Sequence, residues 1–331
     1  MRAIQITKNE AGQRLDKMLS KYLNLAGKSF IYKMMRKKNI TLNGKKCDGS
    51  EKLEEGDEVK LFLADETIEK FSQVQIQKVK KTKLDIIYED DNVLFINKPS
   101  GMLSQKAKDT DESLVEYVTC YLLSSGKMTE EDLRSFRPSV CNRLDRNTSG
   151  LVAAGKSLAG LQIMGEVFKD RSVHKYYLCI VKGRITRPQR ISGFLLKDEK
   201  TNQVSVFKEK KEGSLPIETE YMPLDGNDNV TLLKVTLITG RSHQIRAHLA
   251  SIGHPIGGDM KYGDRRLNEE WKKKYHIHSQ LLHSWNLVLP ALREPLSGLS
   301  GKIFTAPVPA DFHRVMKGEG LSYGNMEHKG A

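Results

Sequence analysis

The stretch NRLDRNTSGLVAAGKS, Asn142 to Ser157, admits two readings that lead to different folds. Its second half, with Gly150, Gly155, Lys156 and Ser157 in register, fits the letter pattern of a nucleotide-binding phosphate loop. Such a loop needs an apolar strand before its first glycine and a polar, glycine-rich bend between the two. Here polar NRLDRNTS precedes Gly150, and Leu151-Val152-Ala153-Ala154 occupies the supposed bend and reads as a strand. No later apolar strand ends in a suitably spaced metal-binding Asp, so nucleotide hydrolysis is set aside. The first half places one acid, Asp145, between Arg143 and Arg146, in a turn that enters the strand LVAAG. Thr148 and Ser149 are expected to hydrogen-bond back into that turn and fix its shape. The plain alternative is a surface ion pair of Asp145 with a flanking arginine, worth at most about 1 kcal/mol.

Moving outward, HKYYLCIVKG (His174 to Gly183) reads as a strand that delivers Tyr177 beside apolar alternation. TLLKVTLITGRSHQIRAHLASIGHPIGGD reads as a strand followed by a helix. Gly240-Arg241-Ser242 is expected to open that helix, with Ile245, Leu249 and Ile252 as its buried stripe. Arg246 follows Ile245 in the first turn, from which it can point back to the loop at the helix start. Upstream, LDIIYEDDNVLFINKPSG predicts two strands around an Asp90-Asp91-Asn92 turn. The segment from Asp109 to Phe136 has helical stretches and no recognisable chemistry.

The N-terminal part has a different character. Leu15, Met18, Leu19, Tyr22 and Leu23 fall at the period of an amphipathic helix, and Ser29 is placed to cap a second helix with Ile31, Met34 and Met35 facing inward. From Lys28 to Lys46 there are seven cations (Lys28, Lys33, Arg36, Lys37, Lys38, Lys45, Lys46) and no acid. Asn43-Gly44 predicts a tight hairpin turn, and Val59, Leu61 and Leu63 alternate as a half-buried strand. Seven cations on two adjacent elements point to phosphate contact. The whole chain of 331 residues carries 54 Lys and Arg against 41 Asp and Glu, which also suits a polyanionic partner, although solubility alone could use that charge. Its four cysteines form no CxxC pair, and the His276/His278 pair lacks further ligands, so no metal site is expected. The first residues contain no apolar leader and no apolar run approaches a membrane span, so the expected location is the cytoplasm, with no membrane partner.

Residues RLDKML, SFIYKMMRKKNITLNGK and EEGDEV of the N-terminal part closely resemble the small RNA-binding module named after ribosomal protein S-four. The larger part resembles the RluA-type RNA pseudouridine synthases. The motif Arg143-Leu144-Asp145-Arg146-Asn147-Thr148-Ser149-Gly150 carries that resemblance, with Lys175-Tyr176-Tyr177, Gly240 to Arg246 and Asn97-Lys98-Pro99-Ser100-Gly101. Asn142 departs from the histidine that many members have there.

The resemblance implies an α+β fold, with a mixed, largely antiparallel sheet, flanking helices and a central cleft, preceded by a small α+β module of the αL type. The expected division is 1–65 for the module, 66–83 for a basic linker, 84–318 for the catalytic domain and 319–331 for a loose tail. It implies isomerisation of uridine to pseudouridine in structured RNA, large-subunit ribosomal RNA first and transfer RNA second. A non-catalytic RNA-binding or ribosome-assembly protein is the rival reading. Asp145 would be the reacting carboxylate, Arg246 its counter-cation, and Tyr177 the ring that stacks on uracil and helps to remove the proton from carbon 5. Arg143 would fill the space left by a flipped base, and Leu282 would wall the base pocket. Arg241 and His243 would shape the loop or touch RNA backbone, and Lys28, Lys33, Arg36, Lys37, Lys38 and Lys45 would hold phosphates. The chemistry implies no metal, no nucleotide and no other cofactor, and the expected state is a monomer.

Overall fold

The computed structural model describes residues 1–322 except 75, 78 and 80–82. In the N-terminal module the apolar spacing produces helices Leu15–Tyr22 (α1) and Lys28–Arg36 (α2). They bury Leu15, Met18, Leu19, Tyr22, Ile31 and Met35 against strands Arg2–Gln5 (β1), Ile40–Leu42 (β2), Lys45–Lys46 (β3) and Glu58–Leu61 (β4). The sheet order is β1-β4-β2-β3. Asn43 and Gly44 both take positive φ, 52° and 72°, which closes the β2–β3 hairpin as a two-residue turn. Ser29 does not cap α2. The carbonyl of Gly27 already accepts from the amides of Phe30 and Ile31, so the helix starts at Lys28 and Ser29 falls inside its first turn.

The stretch expected as a linker begins instead with a helix, Asp65–Phe71 (α3). Ile68 is buried in the module core, and Phe71 meets Phe30 with ring centroids 4.8 Å apart. Two apolar residues in seven are too few to show a period in the sequence. Lys78, Lys80 and Lys81 of the expected basic linker, and the tail beyond residue 322, lie outside the described residues.

The second part is built on a long sheet. Its strands are Ile86–Glu89 (β5), Val93–Lys98 (β6), Ser139–Val140 (β7), Ser149–Gly155 (β8), His174–Lys182 (β9) and Gln189–Asp198 (β10). They continue with Gln203–Phe207 (β11), Leu215–Gly226 (β12), Val230–Leu237 (β13), Leu282–Val288 (β14) and Ile303–Thr305 (β15). The order is β11-β10-β12-β13-β9-β14-β8-β6-β5, with β15 beside β14 and β7 beside β8. Among the described residues β8 and β14 are the only pair of these strands that runs parallel. Helices Leu114–Ser124 (α4), Asp132–Ser135 (α5), Leu158–Lys169 (α6), Gln244–Ser251 (α7), Arg265–Tyr275 (α8) and Ala310–Glu319 (α9) flank it.

β8 decides between the two readings of the opening stretch. All of its residues are buried, so Gly150 to Gly155 is an inner strand and leaves no loop to cradle a phosphate. The Lys156 ammonium is bound to Glu89 and to the Asp90 carbonyl, both at 2.6 Å, and Ser157 caps α6 through the Gly160 amide. Because α7 ends at Ser251, Ile252 leaves the expected stripe and is exposed, while Ile245 and Leu249 are buried.

Candidate active site

Asp145 stands in the turn between β7 and β8, closed by the Thr148 amide donating to the Asp145 carbonyl at 3.0 Å. Thr148 and Ser149 do not bond back into this turn through their side chains. Thr148 accepts from Gln280 Nε2 at 3.3 Å, and Ser149 Oγ meets His283 Nδ1 at 2.8 Å, because the parallel β14 passes directly beside them. The turn is fixed from another side, by residues 98–104. The Lys98 ammonium, fully buried, donates to the carbonyls of Pro99, Met102 and Arg146 at 2.8–3.0 Å. Ser104 Oγ donates to the Leu144 carbonyl at 2.9 Å and accepts its amide at 3.0 Å. Burial pulls the Lys98 ammonium down to about 7, and the Asp145 charge pulls the other way. The Asn-Lys-Pro segment was visible in the sequence; that it clamps the acid's loop was not.

Gly150 follows the turn with φ 104°, and a Cβ there would lie 2.1 Å from the Ser284 carbonyl oxygen. No other residue fits this contact. Asn142 stitches the same strand, accepting the Ala153 amide at 2.8 Å and donating to the Leu151 carbonyl at 3.3 Å.

The guanidinium of Arg246 reaches Asp145 from α7, with Nη1 2.8 Å from Oδ2. Its other edge is held by a second acid. Nε and Nη2 grip Asp259 at 2.7 and 2.9 Å, and Asp259 also accepts the amides of Lys261 and Tyr262. The side chains are 7% exposed for Arg246, 0% for Asp259 and 26% for Asp145. Burial works against the Arg246 charge, but Asp259 and then Asp145 overcome it and raise the guanidinium above its ordinary value. Burial likewise opposes the Asp259 charge, and Arg246 still holds that carboxyl below its usual range. The arginine is thus positioned by Asp259 and presents one remaining N–H edge to Asp145. Asp259 was missed in the sequence; an acid between Gly258 and Met260 carries no periodic signal.

Tyr262 lies over the Arg246 guanidinium, 5.2 Å from ring centroid to carbon, and accepts the Val204 amide at 2.9 Å. Its hydroxyl meets His243 Nδ1 at 2.9 Å. His243, not Gly240-Arg241-Ser242, is the residue that opens α7, in the left-handed region at φ 53°. Arg241 is half-buried, with its Nε unpartnered among the described residues.

Tyr177, on β9, and Leu282, on β14, are both buried and share one apolar cluster with Leu144 and Ile245, the neighbours of Asp145 and Arg246. Burial pushes the Tyr177 phenol up to about 12; the Ser284 hydroxyl acts the other way and the Asp145 charge adds to the rise. Arg143 is exposed beside the acid and its side chain makes no hydrogen bond or ion pair among the described residues. Lys28, Lys33, Arg36, Lys37, Lys38 and Lys45 are all exposed on the N-terminal module. Among the described residues no group of three or more His, Cys, Asp and Glu could hold a metal ion, and no helix is long and apolar enough to cross a membrane.

An acid on a strand-entering turn, paired to a helix arginine beside a buried tyrosine, can be compared with known proteins. Residues 92–251 match the family described as RNA pseudouridylate synthase, and residues 13–59 match the S4 domain. Ribosomal large subunit pseudouridine synthase C of Vibrio vulnificus is 31% identical over 325 residues, 95% of each chain. The chain belongs to the RNA pseudouridylate synthase family. It is thereby an isomerase that acts on uridine in RNA, with an RNA-binding module in front. The synthase C of Escherichia coli is 32% identical over 278 residues, 82% of each chain. Human RNA Pseudouridylate Synthase Domain Containing 4 shares the fold, with a TM-score of 0.56 and 21% identity over 72% of this chain and 93% of that one. The mixed, mostly antiparallel sheet expected for this synthase family is the sheet observed.

Proposed function

We propose that the protein converts uridine to pseudouridine in large-subunit ribosomal RNA, with Asp145 as the reacting carboxylate. One observation carries the assignment to Asp145. Arg246 holds its Oδ2, while Oδ1 makes no hydrogen bond among the described residues and the side chain is about a quarter exposed to solvent. The ribosomal target is supported by the names of the relatives and by the basic module.

The reaction breaks the bond from ribose carbon 1′ to uracil N1, turns the base, and joins carbon 1′ to carbon 5. The proton lost from carbon 5 is balanced by one gained at N1, and no electrons are exchanged. The chemistry therefore asks for no redox cofactor, metal or nucleotide, and the reading takes the protein as a cytoplasmic monomer. Asp145 meets the ribose and base of an extruded nucleotide; extrusion costs a few kcal/mol. Tyr177 supplies a stacking face. With its phenol held protonated at neutral pH, stacking is the role its surroundings favour. The free guanidinium of Arg143 fills the vacated stack, and Leu282 closes the apolar wall of the pocket. The module adds phosphate contacts without sequence information.

The test is pseudouridine mapping of total RNA from cells lacking the protein, rescued with wild type or with Asp145→Asn. Sites in large-subunit RNA that vanish and return only with wild type establish both substrate and carboxylate. Sites confined to transfer RNA would move the substrate, and rescue by the Asn variant would remove Asp145 from the chemistry.

A further inference from the structure

Residues 109–136 carry no catalytic group, yet their short helix α5 is where the module meets the catalytic domain. Ser135 Oγ donates to Glu10 Oε1 at 2.6 Å, and both residues are buried, at 6% and 5% exposed. The other Glu10 oxygen takes the amide and hydroxyl of Thr7, at 3.0 and 2.6 Å. A carboxylate taken out of water needs every one of these donors, so the contact is specified rather than incidental. One residue earlier, Arg134 Nη1 donates to the carbonyl and hydroxyl of the buried Ser72, at 2.8 and 2.5 Å, just beyond the end of α3. The same guanidinium lies 6.0 Å from the Tyr22 ring centroid, and the Tyr22 hydroxyl donates to Glu131 at 2.9 Å. One turn of helix thus grips the start, the first helix and the end of the module.

The described part of the connecting segment is tied to the catalytic domain, in part through the same insert. Val74 and Ile76 pack on the catalytic core. The Gln77 carbonyl accepts the Cys120 thiol of α4 at 3.5 Å, and its side chain meets the Lys106 ammonium. A module swinging on a free tether would have its polar groups in water; here Glu10 and Ser72 are buried against partners more than sixty residues away in the chain.

We infer that the insert is a latch. It holds the RNA-binding module at one fixed position relative to Asp145, with Arg134 and Ser135 as positioning residues. The span between the module's cations and the carboxylate is then set by the protein. Only a uridine at the matching distance from a bound backbone segment reaches the acid, so the latch takes part in target choice. That last consequence rests on the RNA-modifying role proposed above; the latch itself does not.

The experiment uses full-length protein, as wild type, as the Arg134→Ala/Ser135→Ala double variant, and as Tyr22→Phe, which keeps the ring in the module core. Small-angle scattering and hydrogen exchange are recorded without RNA. The latch predicts a compact wild type, and a larger radius of gyration with roughly tenfold faster exchange at 131–136 in the double variant. Tyr22→Phe should move the same way by less. Turnover is then measured on a short stem-loop that reaches only the active site and on a long ribosomal RNA fragment. The double variant should match wild type on the stem-loop, and on the long fragment its KM should rise about tenfold with kcat held. Equal scattering and exchange for wild type and double variant, or an extended wild type, overturns the latch. An unchanged KM on the long fragment, or equal losses on both RNAs, overturns the positioning role. If wild type modifies neither RNA, the function is refuted while scattering still decides the latch.

Discussion

Arg246 in the catalytic domain and Arg36 on the module carry the same charge in opposite surroundings. Arg246 is buried, with three N–H groups on two carboxylates and a tyrosine ring across its face. Arg36 is exposed, as are Lys28, Lys33, Lys37, Lys38 and Lys45, and among the described residues none of their side chains has an ion pair or hydrogen bond within the protein. The first arrangement turns charge inward to place one acid. Its interactions are short and dry, and salt hardly screens them. The second keeps charge available for an outside polyanion, where each phosphate contact releases counterions and is salt-sensitive. Catalysis and affinity should therefore be separable by mutation.

The largest expected effect is on the inward side. Asp145→Asn should lower kcat by at least about 10⁴-fold while RNA affinity stays within about threefold, because it removes the proposed reacting group and no phosphate contact. Single-turnover assays beside filter binding measure both, and a comparable loss in each would break the separation. Next, Arg246→Met leaves Asp259 buried without its cation. It should destabilise the domain by about 3–5 kcal/mol in urea unfolding, together with loss of activity. Unchanged stability would mean that the three-group cluster does not hold the site.

Acid should act mainly on the catalytic domain. His283 and His248 are buried there, and burial drops each to about 4 from an ordinary 6.5. As pH falls from 6.5 to 4 the unfolded chain takes up these protons first. Stability is therefore full above 6.5 and falls by roughly 3 kcal/mol per histidine across that window. Urea titrations at pH 7 and 4.5 check this, and His283→Asn should flatten the slope by about half. The smallest effect belongs to the module. Lys33→Ala/Arg36→Ala/Lys37→Ala should weaken RNA binding some 10- to 100-fold at moderate salt and flatten the log–log salt slope by about 2–3, with kcat unchanged. An unaltered slope would show that these cations do not meet phosphate.

What could be read from the sequence, and what could not, follows from the range of the interactions. Helix and strand identities rest on local apolar spacing, so α1, the two strands around Asp90-Asp91-Asn92 and the strand bearing Tyr177 were all legible. Asp145 stood out because a single acid between two arginines enters an apolar strand. Its pairing with Arg246 was inferable, since the arginine sits in the first turn of α7 and can face the loop. The rest depended on contacts distant along the chain. Lys98 grips the Arg146 carbonyl 48 residues away, and Ser104 binds Leu144 across 40. Ser135 finds Glu10 across 125 residues, and its sequence neighbourhood shows only a short polar helix. The bond of Thr148 to Gln280 was misassigned for the same reason. A hydroxyl that could close its own turn was claimed by a side chain just ahead of a strand arriving from elsewhere.

Gly150 has one more implication. At this point two segments separated by more than a hundred residues touch main chain to main chain, with no side chain between them as a cushion. Even a methyl group would act as a spacer driven into the seam. The displacement would be passed along five peptide units to the acid itself, so the smallest possible enlargement of the chain should mistune the chemistry without altering any group that performs it.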